Sequence, residues 1–210
     1  MSKENEISLK LITLGNSGVG KTSIIKRYVY NIFVIDNKST IGINFAFKEI
    51  TLKNGKKIKL KLIDTAGEEK YYSLSKSYYK NAEGVLFVFD LNQILSFQNI
   101  SEWIKMYNEQ NNDDKIPRYL IGNKCELECK VDEELINKFL VQNPNYTYKK
   151  ISAAQNKGID ELFMELAEKM AKNYKIGKQK GKTLHSKEEL KKNDKKGKCE
   201  FCSFQNKAYQ

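Results

Sequence analysis

The alternation of apolar and polar positions along the chain predicts several short strands. Continuous apolar runs typical of strands buried in a parallel sheet occur at Leu9–Leu14, Gly84–Phe89 and Tyr119–Ile121. Two further stretches, Ile43–Leu52 and Lys56–Ile63, alternate apolar and polar residues on either side of Asn54-Gly55. Because Asn-Gly is a preferred two-residue hairpin turn, in which both positions take positive φ, we predict that these two strands pair antiparallel.

Helices are predicted between the strands, where apolar residues recur at helical spacing. They cover Thr22–Tyr30, Ser96–Met106, Glu133–Val141 and Ile159–Met170. Strands that alternate with helices predict an α/β sandwich with one antiparallel edge strand. The apolar period stops after Tyr174, so we predict a domain over residues 1–174 and a tail over residues 175–210. The lysine-rich part of this tail, Gly177–Lys198, is expected to be disordered.

The positive charge of the chain is concentrated in this tail. The 210 residues carry a net charge of +11, and the 12 lysines and 4 acidic residues from Lys172 to Gln210 account for +8 of it. This distribution disfavours a nucleic-acid-binding face on the domain and favours contact between the tail and an anionic membrane surface. The alternative is a solvated lysine tail without a specific target.

Other features indicate a cytoplasmic protein that meets a membrane from outside. The chain has no apolar run of about 18 residues, so no membrane span is expected. Its first ten residues are too charged for a signal peptide, and Ser2 replaces the glycine that N-myristoylation needs. Four cysteines in a chain of this length, without a signal peptide, are expected to be reduced.

The strongest local motif is GNSGVGKT at Gly15–Thr22, which follows a predicted strand and opens a predicted helix. It fits the phosphate-binding pattern G-x-x-x-x-G-K-[ST], whose glycines let backbone N–H groups approach phosphate oxygens. The helix N-terminus adds a favourable dipole. Lys21 is predicted to face the β- and γ-phosphates, and the hydroxyl of Thr22 is predicted to ligate Mg²⁺.

An acid and two small residues extend this motif into a candidate metal and phosphate site. Asp64 ends the strand expected beside the phosphate-loop strand, where P-loop enzymes have an aspartate that holds Mg²⁺. Gly67 is predicted to offer its N–H to a γ-phosphate, because no side chain blocks the approach. Thr40 precedes a strand and is either a second hydroxyl for the metal or an ordinary strand threonine.

Two loops suited to a nucleotide base complete the pattern, since Asn123-Lys124-Cys125-Glu126 follows one buried strand and Ser152-Ala153-Ala154 follows another. The order phosphate loop, TIG, DTAG, NKxE and SA resembles the Ras-like small GTPases. Four segments are similar to the Rab subfamily in particular, and the resemblance covers about residues 7–174. These segments are TIGINF (40–45), KLKLIDTAGEE (59–69), YYKNAEG (78–84) and GNKCEL (122–127).

The resemblance implies a P-loop three-layer sandwich with a six-stranded sheet and about five helices. It also implies a monomeric switch that binds GTP or GDP with Mg²⁺ and hydrolyses GTP with Lys21, Gly67 and Glu68 at the catalytic centre. The metal ligands would be Thr22, Thr40 and Asp64. The nucleotide-binding residues would be Gly15, Asn16, Ser17, Gly18, Val19, Gly20, Lys21, Thr22, Ser23, Phe33, Thr40, Gly67, Asn123, Lys124, Glu126, Ser152, Ala153 and Ala154.

Within this set the resemblance assigns roles around the base and the γ-phosphate. Phe33 would pack on guanine, Asn123 and the stem of Lys124 would frame it, and the Ala153 N–H would meet its O6. Thr40 and Gly67 would hold the γ-phosphate and release it after hydrolysis, so that effector, exchange-factor and GTPase-activating proteins distinguish the two states.

The effector surface implied by the resemblance comprises Ile41, Gly42, Phe45, Ile63 and Tyr78. Phe45 and Tyr78 correspond to two members of an aromatic triad that Rab proteins present to effectors. Ile63 stands where the third member is normally tryptophan. Phe45 also has an alternative interpretation as an ordinary strand aromatic.

Two glutamates depart from the family pattern. Glu68 replaces the glutamine that orients the attacking water; its negative charge beside the γ-phosphate predicts slow intrinsic hydrolysis, although Mg²⁺, Lys21 and a raised pKa would oppose this effect. Glu126 replaces the aspartate that accepts hydrogen bonds from guanine. Its carboxylate still suits guanine and rejects adenine, but the longer side chain predicts weaker binding.

The tail is a third departure. Rab proteins usually end in one or two prenylated cysteines, whereas Cys199 and Cys202 are followed by Ser203–Gln210 and form no C-a-a-X box. Both are nevertheless candidate lipidation sites. The Cys-x-x-Cys spacing also fits half of a zinc site, but no second pair is evident.

The leading interpretation is a Rab-like GTPase that recruits effectors in intracellular vesicle trafficking, on the cytosolic face of an internal membrane. The alternative is a poorly hydrolysing, GTP-bound adaptor, suggested by Glu68 and Glu126. A P-loop ATPase or kinase is disfavoured by the NKCE motif and by the lack of a lid domain.

Overall fold

The computed structural model describes residues 7–35, 40, 42–65, 78–111 and 115–174. Its strands are β1 (Ile7–Leu14), β2 (Ile43–Thr51), β3 (Lys57–Thr65), β4 (Gly84–Asp90), β5 (Arg118–Asn123) and β6 (Tyr146–Lys150). Its helices are α1 (Lys21–Tyr30), α2 (Ile94–Gln98), α3 (Ile100–Asn108), α4 (Glu133–Gln142) and α5 (residues 159–174). Among these helices, none is both long and apolar enough to cross a bilayer.

The six strands form one sheet in the order β2-β3-β1-β4-β5-β6. β2 runs antiparallel to β3, and every other neighbouring pair is parallel. All residues of β4 and β5 are buried, as expected for central strands covered on both faces. The predicted α/β sandwich with one antiparallel edge strand is therefore confirmed.

The hairpin between β2 and β3 differs from the predicted turn. The Leu52 N–H donates to the Lys56 carbonyl (2.9 Å), which encloses a loop of three residues rather than two. Only Gly55 of this loop has positive φ, at 79°, whereas the predicted turn requires it at Asn54 as well. The arrangement is that of a three-residue hairpin loop, which ends with a glycine in the left-handed region.

Helix prediction was wrong at one place. The stretch predicted as a single helix over Ser96–Met106 forms two helices, α2 and α3, which meet at Asn99. Ser96, which lies inside α2, accepts from the Asp90 N–H (2.9 Å) and donates to the Gln93 carbonyl (2.6 Å). Ser96 thus links α2 to the end of β4, and α2 does not continue into α3.

Helices cover both faces of the sheet. On one face, α3 and α4 pack on a buried cluster that includes Ile12, Ile63, Phe87 and Trp103. On the other face, the ring of Tyr28 in α1 stacks on Phe163 in α5, with the centroids 3.7 Å apart. Because β1, β3, β4 and β5 run parallel, the loops that follow them emerge at the same edge, where α/β sheets bind ligands.

Candidate nucleotide-binding site

The loops at this edge enclose a cleft of about 440 Å³. Ten of the predicted nucleotide-binding residues line it, namely Ser17, Gly18, Gly20, Ser23, Phe33, Asn123, Lys124, Glu126, Ala153 and Ala154. The sequence analysis missed three further lining residues, Val34, Ile35 and Leu127. All three are exposed apolar side chains next to predicted site residues, and this adjacency is the signal by which they could have been found.

The phosphate loop lies so close to β4 and Asn123 that a side chain at two of its glycines would clash with them. A Cβ on Gly15 would lie 2.1 Å from the Val88 carbonyl oxygen, and one on Gly20 would lie 2.3 Å from Asn123 Nδ2. Both glycines also have φ in the left-handed region, at 144° and 97°. Helix α1 follows Gly20 without a side-chain cap, and the N–H groups at a helix N-terminus favour an anion.

Lys21 is held inside the loop rather than in solvent. Its Nζ donates to the carbonyl oxygens of Gly15 (2.7 Å) and Asn16 (2.9 Å), and the residue is only 5% exposed. Burial lowers the pKa of Lys21 to about 8, and the nearby charge of Asp64 opposes this shift. An anion in the cleft would replace these carbonyl contacts with a charge pair.

Three oxygens converge beside the phosphate loop, as the sequence analysis predicted for the metal ligands. The Thr22 hydroxyl donates to Asp64 Oδ2 and lies within hydrogen-bonding distance of the Thr40 hydroxyl, each at 2.7 Å. Asp64 is 3% exposed, and its Oδ1 has no hydrogen-bond partner among the residues that the structure describes. Burial raises the pKa of Asp64, although the hydrogen bond from Thr22 opposes this effect.

This arrangement fits Mg²⁺. The ion prefers oxygen ligands and is commonly bound by one or two carboxylates together with substrate phosphates. The unpartnered Asp64 Oδ1 is the kind of atom that a cation would satisfy. Elsewhere in the described chain there is no cluster of three or more His, Cys, Asp or Glu side chains suited to a metal, and Cys125 and Cys129 are free thiols.

Asn123 links the phosphate loop to the base loops. Its Nδ2 donates to the Val19 carbonyl (2.9 Å), and its Oδ1 accepts from the Ala153 N–H (3.2 Å). Asn123 is 1% exposed, so both bonds are shielded from water. The Ala153 N–H, which the resemblance assigns to guanine O6, is therefore engaged by Asn123 in this structure.

Two charged residues that the sequence analysis did not assign hold the base loops in place. Asp90, at the end of β4, pairs with Lys124 Nζ at 2.7 Å. Arg27 of α1 donates to the carbonyl oxygens of Ala153 (2.9 Å) and Ala154 (3.1 Å). Asp90 ends an apolar run, as Asp64 does, and this shared pattern could have revealed it.

Glu126 has an unsatisfied hydrogen-bond acceptor beside the cleft. The residue lines the cleft, and its Oε2 is buried and has no hydrogen-bond partner among the described residues. An isolated buried carboxylate oxygen is costly unless a ligand donates to it. The paired N–H donors of guanine are suitable partners.

Comparisons with known proteins agree with this geometry. The sequence profile of the Ras family matches residues 10–172. The Ras-related protein Rab-10 of Diplobatis ommata is 38% identical over 170 residues, which cover 79% of this chain and 82% of that protein. Rab-12 of Mus musculus is 34% identical over 169 residues (80% and 69%), and Rab-1C of Dictyostelium discoideum is 36% identical over 172 residues (81% and 84%). The chain is a Rab-like member of the Ras family.

The predicted effector surface of this Rab-like chain is only partly accessible. The rings of Phe45 and Tyr78 lie 5.5 Å apart and are 42% and 37% exposed. Ile63 is fully buried in the core, so the position where the resemblance implies a tryptophan adds no accessible side chain here. Gly42 has a positive φ of 75° just before β2.

Several predicted residues lie outside the described part of the structure. These are Ile41 of the effector surface, Gly67 and Glu68 of the catalytic centre, and Cys199 and Cys202 of the tail. The tail over residues 175–210 lies there too, so the domain boundary at residue 174 stays a prediction. Of the remaining predicted positions, Val19 and Ser152 are fully buried beside the cleft.

Trp103 contacts the phosphate loop of this Rab-like protein, a contact that the sequence analysis did not predict. It is the sole tryptophan of the chain, and its Nε1 donates to Asn16 Oδ1 at 2.8 Å. Trp103 is 3% exposed and also packs in the core cluster. The indole thus connects α3 to the loop that is predicted to hold the phosphates.

Trp103 fluorescence is therefore expected to report nucleotide binding. Adding GTP and Mg²⁺ to nucleotide-free protein should shift its emission, because the hydrogen bond to Asn16 changes as the loop takes up phosphates. Asn16→Ala should reduce this shift at saturating nucleotide, with saturation established by a labelled nucleotide. An unchanged shift in Asn16→Ala would show that the indole senses another region.

Proposed function

We propose that this Rab-like chain hydrolyses GTP to GDP and uses the two states to recruit effectors in vesicle trafficking. The observation that supports this most is a cleft lined at once by the phosphate loop and by both base loops. Glu126, which lines the cleft, and Asp64, which accepts from Thr22, each have a buried carboxylate oxygen without a hydrogen-bond partner among the described residues. The family supports GTP as the substrate.

The described residues have separable roles in this proposal. Lys21 would exchange its contacts with loop carbonyls for the β- and γ-phosphates, which places positive charge where the transition state gains negative charge. Thr22, Thr40 and Asp64 would hold Mg²⁺, which when bound neutralises charge on the phosphate oxygens. Asn123 and Arg27 would fix the base loops, so that guanine binds a preformed pocket.

The partners proposed for the chain follow from the same switch. Loss of the γ-phosphate would release Thr40 and Gly67, and effector, exchange-factor and GTPase-activating proteins would read the difference. The lysine-rich tail would bring the domain to the anionic cytosolic face of an internal membrane. Mass spectrometry of the C-terminal peptide from cells would determine whether Cys199 or Cys202 carries a lipid.

The proposed function is tested by identifying the nucleotide bound to purified protein and following its turnover with Mg²⁺. Bound guanine nucleotide that is converted slowly from GTP to GDP is the expected result. Bound GTP without measurable turnover would favour the adaptor function suggested by Glu68 and Glu126. Bound adenine nucleotide would contradict both the GTPase and the adaptor function. Failure of GTP to bind the protein would contradict them equally.

Glu126 is expected to determine base selectivity. Glu126→Ala should weaken GTP binding by roughly 10–100-fold, because a charged hydrogen-bond acceptor contributes about 1.5–3 kcal/mol, and should leave ATP binding weak. Glu126→Asp, which restores the shorter carboxylate, should bind GTP more tightly than the wild type. Competition titrations against a labelled guanine nucleotide measure both. Comparable wild-type affinities for ATP and GTP would contradict the prediction.

Glu68→Gln is expected to speed intrinsic hydrolysis roughly tenfold or more. Two unit charges about 4 Å apart repel by roughly 4 kcal/mol at an effective dielectric of 20, and Mg²⁺ and Lys21 offset part of that repulsion. Single-turnover hydrolysis of bound GTP is the measurement. Glu69→Gln serves as the control, because it removes the same charge from the adjacent position. A wild-type protein faster than Glu68→Gln would refute slow hydrolysis.

A further inference from the structure

One face of the sheet carries a row of lysines near its antiparallel edge. Lys57, Lys59 and Lys61 occupy alternate positions of β3, so they point to the same face. Lys61 is the register partner of Lys10 in the neighbouring strand β1, which extends the row across a second strand. The spacing between successive lysines along β3 is about 7 Å.

Two phenylalanines lie on the same face. In the β2–β3 ladder, Phe45 pairs with Ile63 and Phe47 pairs with Lys61, which fixes their side chains on the lysine face. Phe45 is 42% exposed and Phe47 is 51% exposed, whereas the core contribution of β2 comes from the opposite face. We call the set the Lys–Phe surface, and it comprises Lys10, Phe45, Phe47, Lys57, Lys59 and Lys61.

Positive charge outnumbers negative charge on this face of β1, β2 and β3, where four lysines share the face with one acid, Glu49, the register partner of Lys59. None of Lys57, Lys59 and Lys61 forms an ion pair with a described acid. Burial and the positive charge of Lys61 lower the pKa of Lys10, although Glu83 opposes both effects. Like charges on paired strand positions are destabilising, so folding does not favour the pairing of Lys10 with Lys61.

The lysines also limit what the aromatic rings can bind. Lys61 Nζ lies 4.7 Å from the ring centroid of Phe45, and Lys59 Nζ lies 5.6 Å from that of Phe47. Ammonium groups over the rings leave less room for stacked nucleic-acid bases. Ring edges flanked by ammonium groups suit an apolar side chain with a carboxylate on either side.

The chain itself does not supply a complementary partner. Residues 172–210 carry a net charge of +8, so like charge disfavours their binding to the Lys–Phe surface. A second copy would bring the same lysines against each other. The occupant must therefore be a different molecule with negative charge, because charge complementarity selects partners by excluding like charge.

We propose that the Lys–Phe surface binds an effector protein through an acidic segment whose carboxylates alternate with apolar side chains. The inference rests on the proposed function, since Phe45 adjoins Tyr78 in the surface assigned to effectors. With Ile63 buried, Phe47 extends the accessible apolar contact along β2. The lysines of β3 select the acidic segment, and the two phenylalanines hold its apolar side chains.

The test uses two labelled peptides and full-length protein, with and without a non-hydrolysable GTP analogue. One peptide alternates glutamate with leucine, and the other has lysine at every glutamate position. The variant Lys59→Glu/Lys61→Glu alters the surface. The control Lys105→Glu/Lys138→Glu makes the same change in net charge at exposed positions of α3 and α4. Both variants keep the tail, so its non-specific attraction for the acidic peptide is equal.

The expected result is that Lys59→Glu/Lys61→Glu weakens the acidic peptide at least about tenfold and the control less than about twofold. The lysine peptide should bind Lys59→Glu/Lys61→Glu more tightly than the wild type, which excludes loss of folding as the cause. Phe47→Ala should weaken binding of the acidic peptide, and the remaining binding should still depend on salt concentration. The wild type should bind it more tightly with the GTP analogue bound.

The proposal would be overturned if both double variants lost the same affinity for the acidic peptide. It would also be overturned if Lys59→Glu/Lys61→Glu bound the lysine peptide no more tightly than the wild type does. Loss of phosphatidylserine-vesicle or poly(U) RNA binding in Lys59→Glu/Lys61→Glu but not in the control would reassign the surface to a membrane or to RNA. GTP binding and turnover are measured in parallel. If GTP turnover is intact but the variants show no preference by peptide charge, only the inference about the Lys–Phe surface is contradicted. If the protein does not bind GTP, the proposed function is contradicted.

Discussion

Asp64→Asn is expected to leave the nucleotide-free domain at least as stable as the wild type while removing most of its stabilisation by Mg²⁺ and GTP. The Asp64 carboxylate is buried with one oxygen unpartnered, so neutralising it should stabilise the empty protein by about 1–3 kcal/mol. The amide oxygen of asparagine can still accept from Thr22. Loss of this metal ligand should weaken binding of Mg²⁺ and GTP roughly 100-fold. That change removes about 2.7 kcal/mol of the stability that the bound ligand provides.

Thermal unfolding with and without Mg²⁺ and GTP separates these two effects. Asp132→Asn is the matched control, because it removes the same charge from an exposed helix N-cap where asparagine caps as well as aspartate. The control should keep the full response to Mg²⁺. A full Mg²⁺ response in Asp64→Asn would mean that Asp64 is not a metal ligand, and a large loss of stability without ligands would mean that its charge is structural.

Asn123→Ala is expected to destabilise the domain by about 3 kcal/mol and to weaken nucleotide binding strongly. The substitution leaves the Val19 carbonyl and the Ala153 N–H buried without partners, and each unsatisfied group costs about 1–3 kcal/mol. Both groups belong to loops of the cleft, so the loss should loosen the phosphate and base contacts together. Denaturant unfolding gives the first quantity, and titration with a labelled guanine nucleotide gives the second.

Asn92→Ala is the control for this prediction. Asn92 also donates through its side-chain amide to a backbone carbonyl, that of Glu128 at 2.8 Å, but the bond is exposed to solvent. Its loss should cost less than about 1 kcal/mol and should not change nucleotide affinity. If Asn123→Ala behaved like Asn92→Ala, the bridge between the loops would not contribute to the site.

Most of the sheet follows from sequence because its central strands are apolar on both faces. Runs such as GVLFVF at residues 84–89 predicted β4 without any tertiary information. The strand expected before Ser152-Ala153-Ala154 is present as β6, but it is half-exposed rather than buried as predicted. Tyr146–Lys150 shows neither an apolar run nor clear alternation, so its bounds could not be predicted. Its position depends on pairing with β5, a contact between distant segments that local pattern does not record.

The same distinction applies to the site. The phosphate loop, Asp64 and the NKCE loop are local motifs whose chemistry is evident from residue type and spacing. The contacts of Trp103 with Asn16 and of Arg27 with Ala153 join residues that are 87 and 126 positions apart. No periodicity or motif in one sequence indicates such pairs, so the sequence analysis identified candidate binding groups but not the residues that position them.

The path of α1 has a consequence for how a bound molecule leaves. The helix starts at the phosphate loop. Near its C-terminal end, Arg27 donates to the carbonyl oxygens of Ala153 and Ala154 in the base loop. Its ten residues form a stiff rod about 15 Å long. A protein that tilts α1 would therefore displace the phosphate loop and the base loop together. The phosphate and base contacts of a bound nucleotide should then be lost in one concerted step, rather than one after the other.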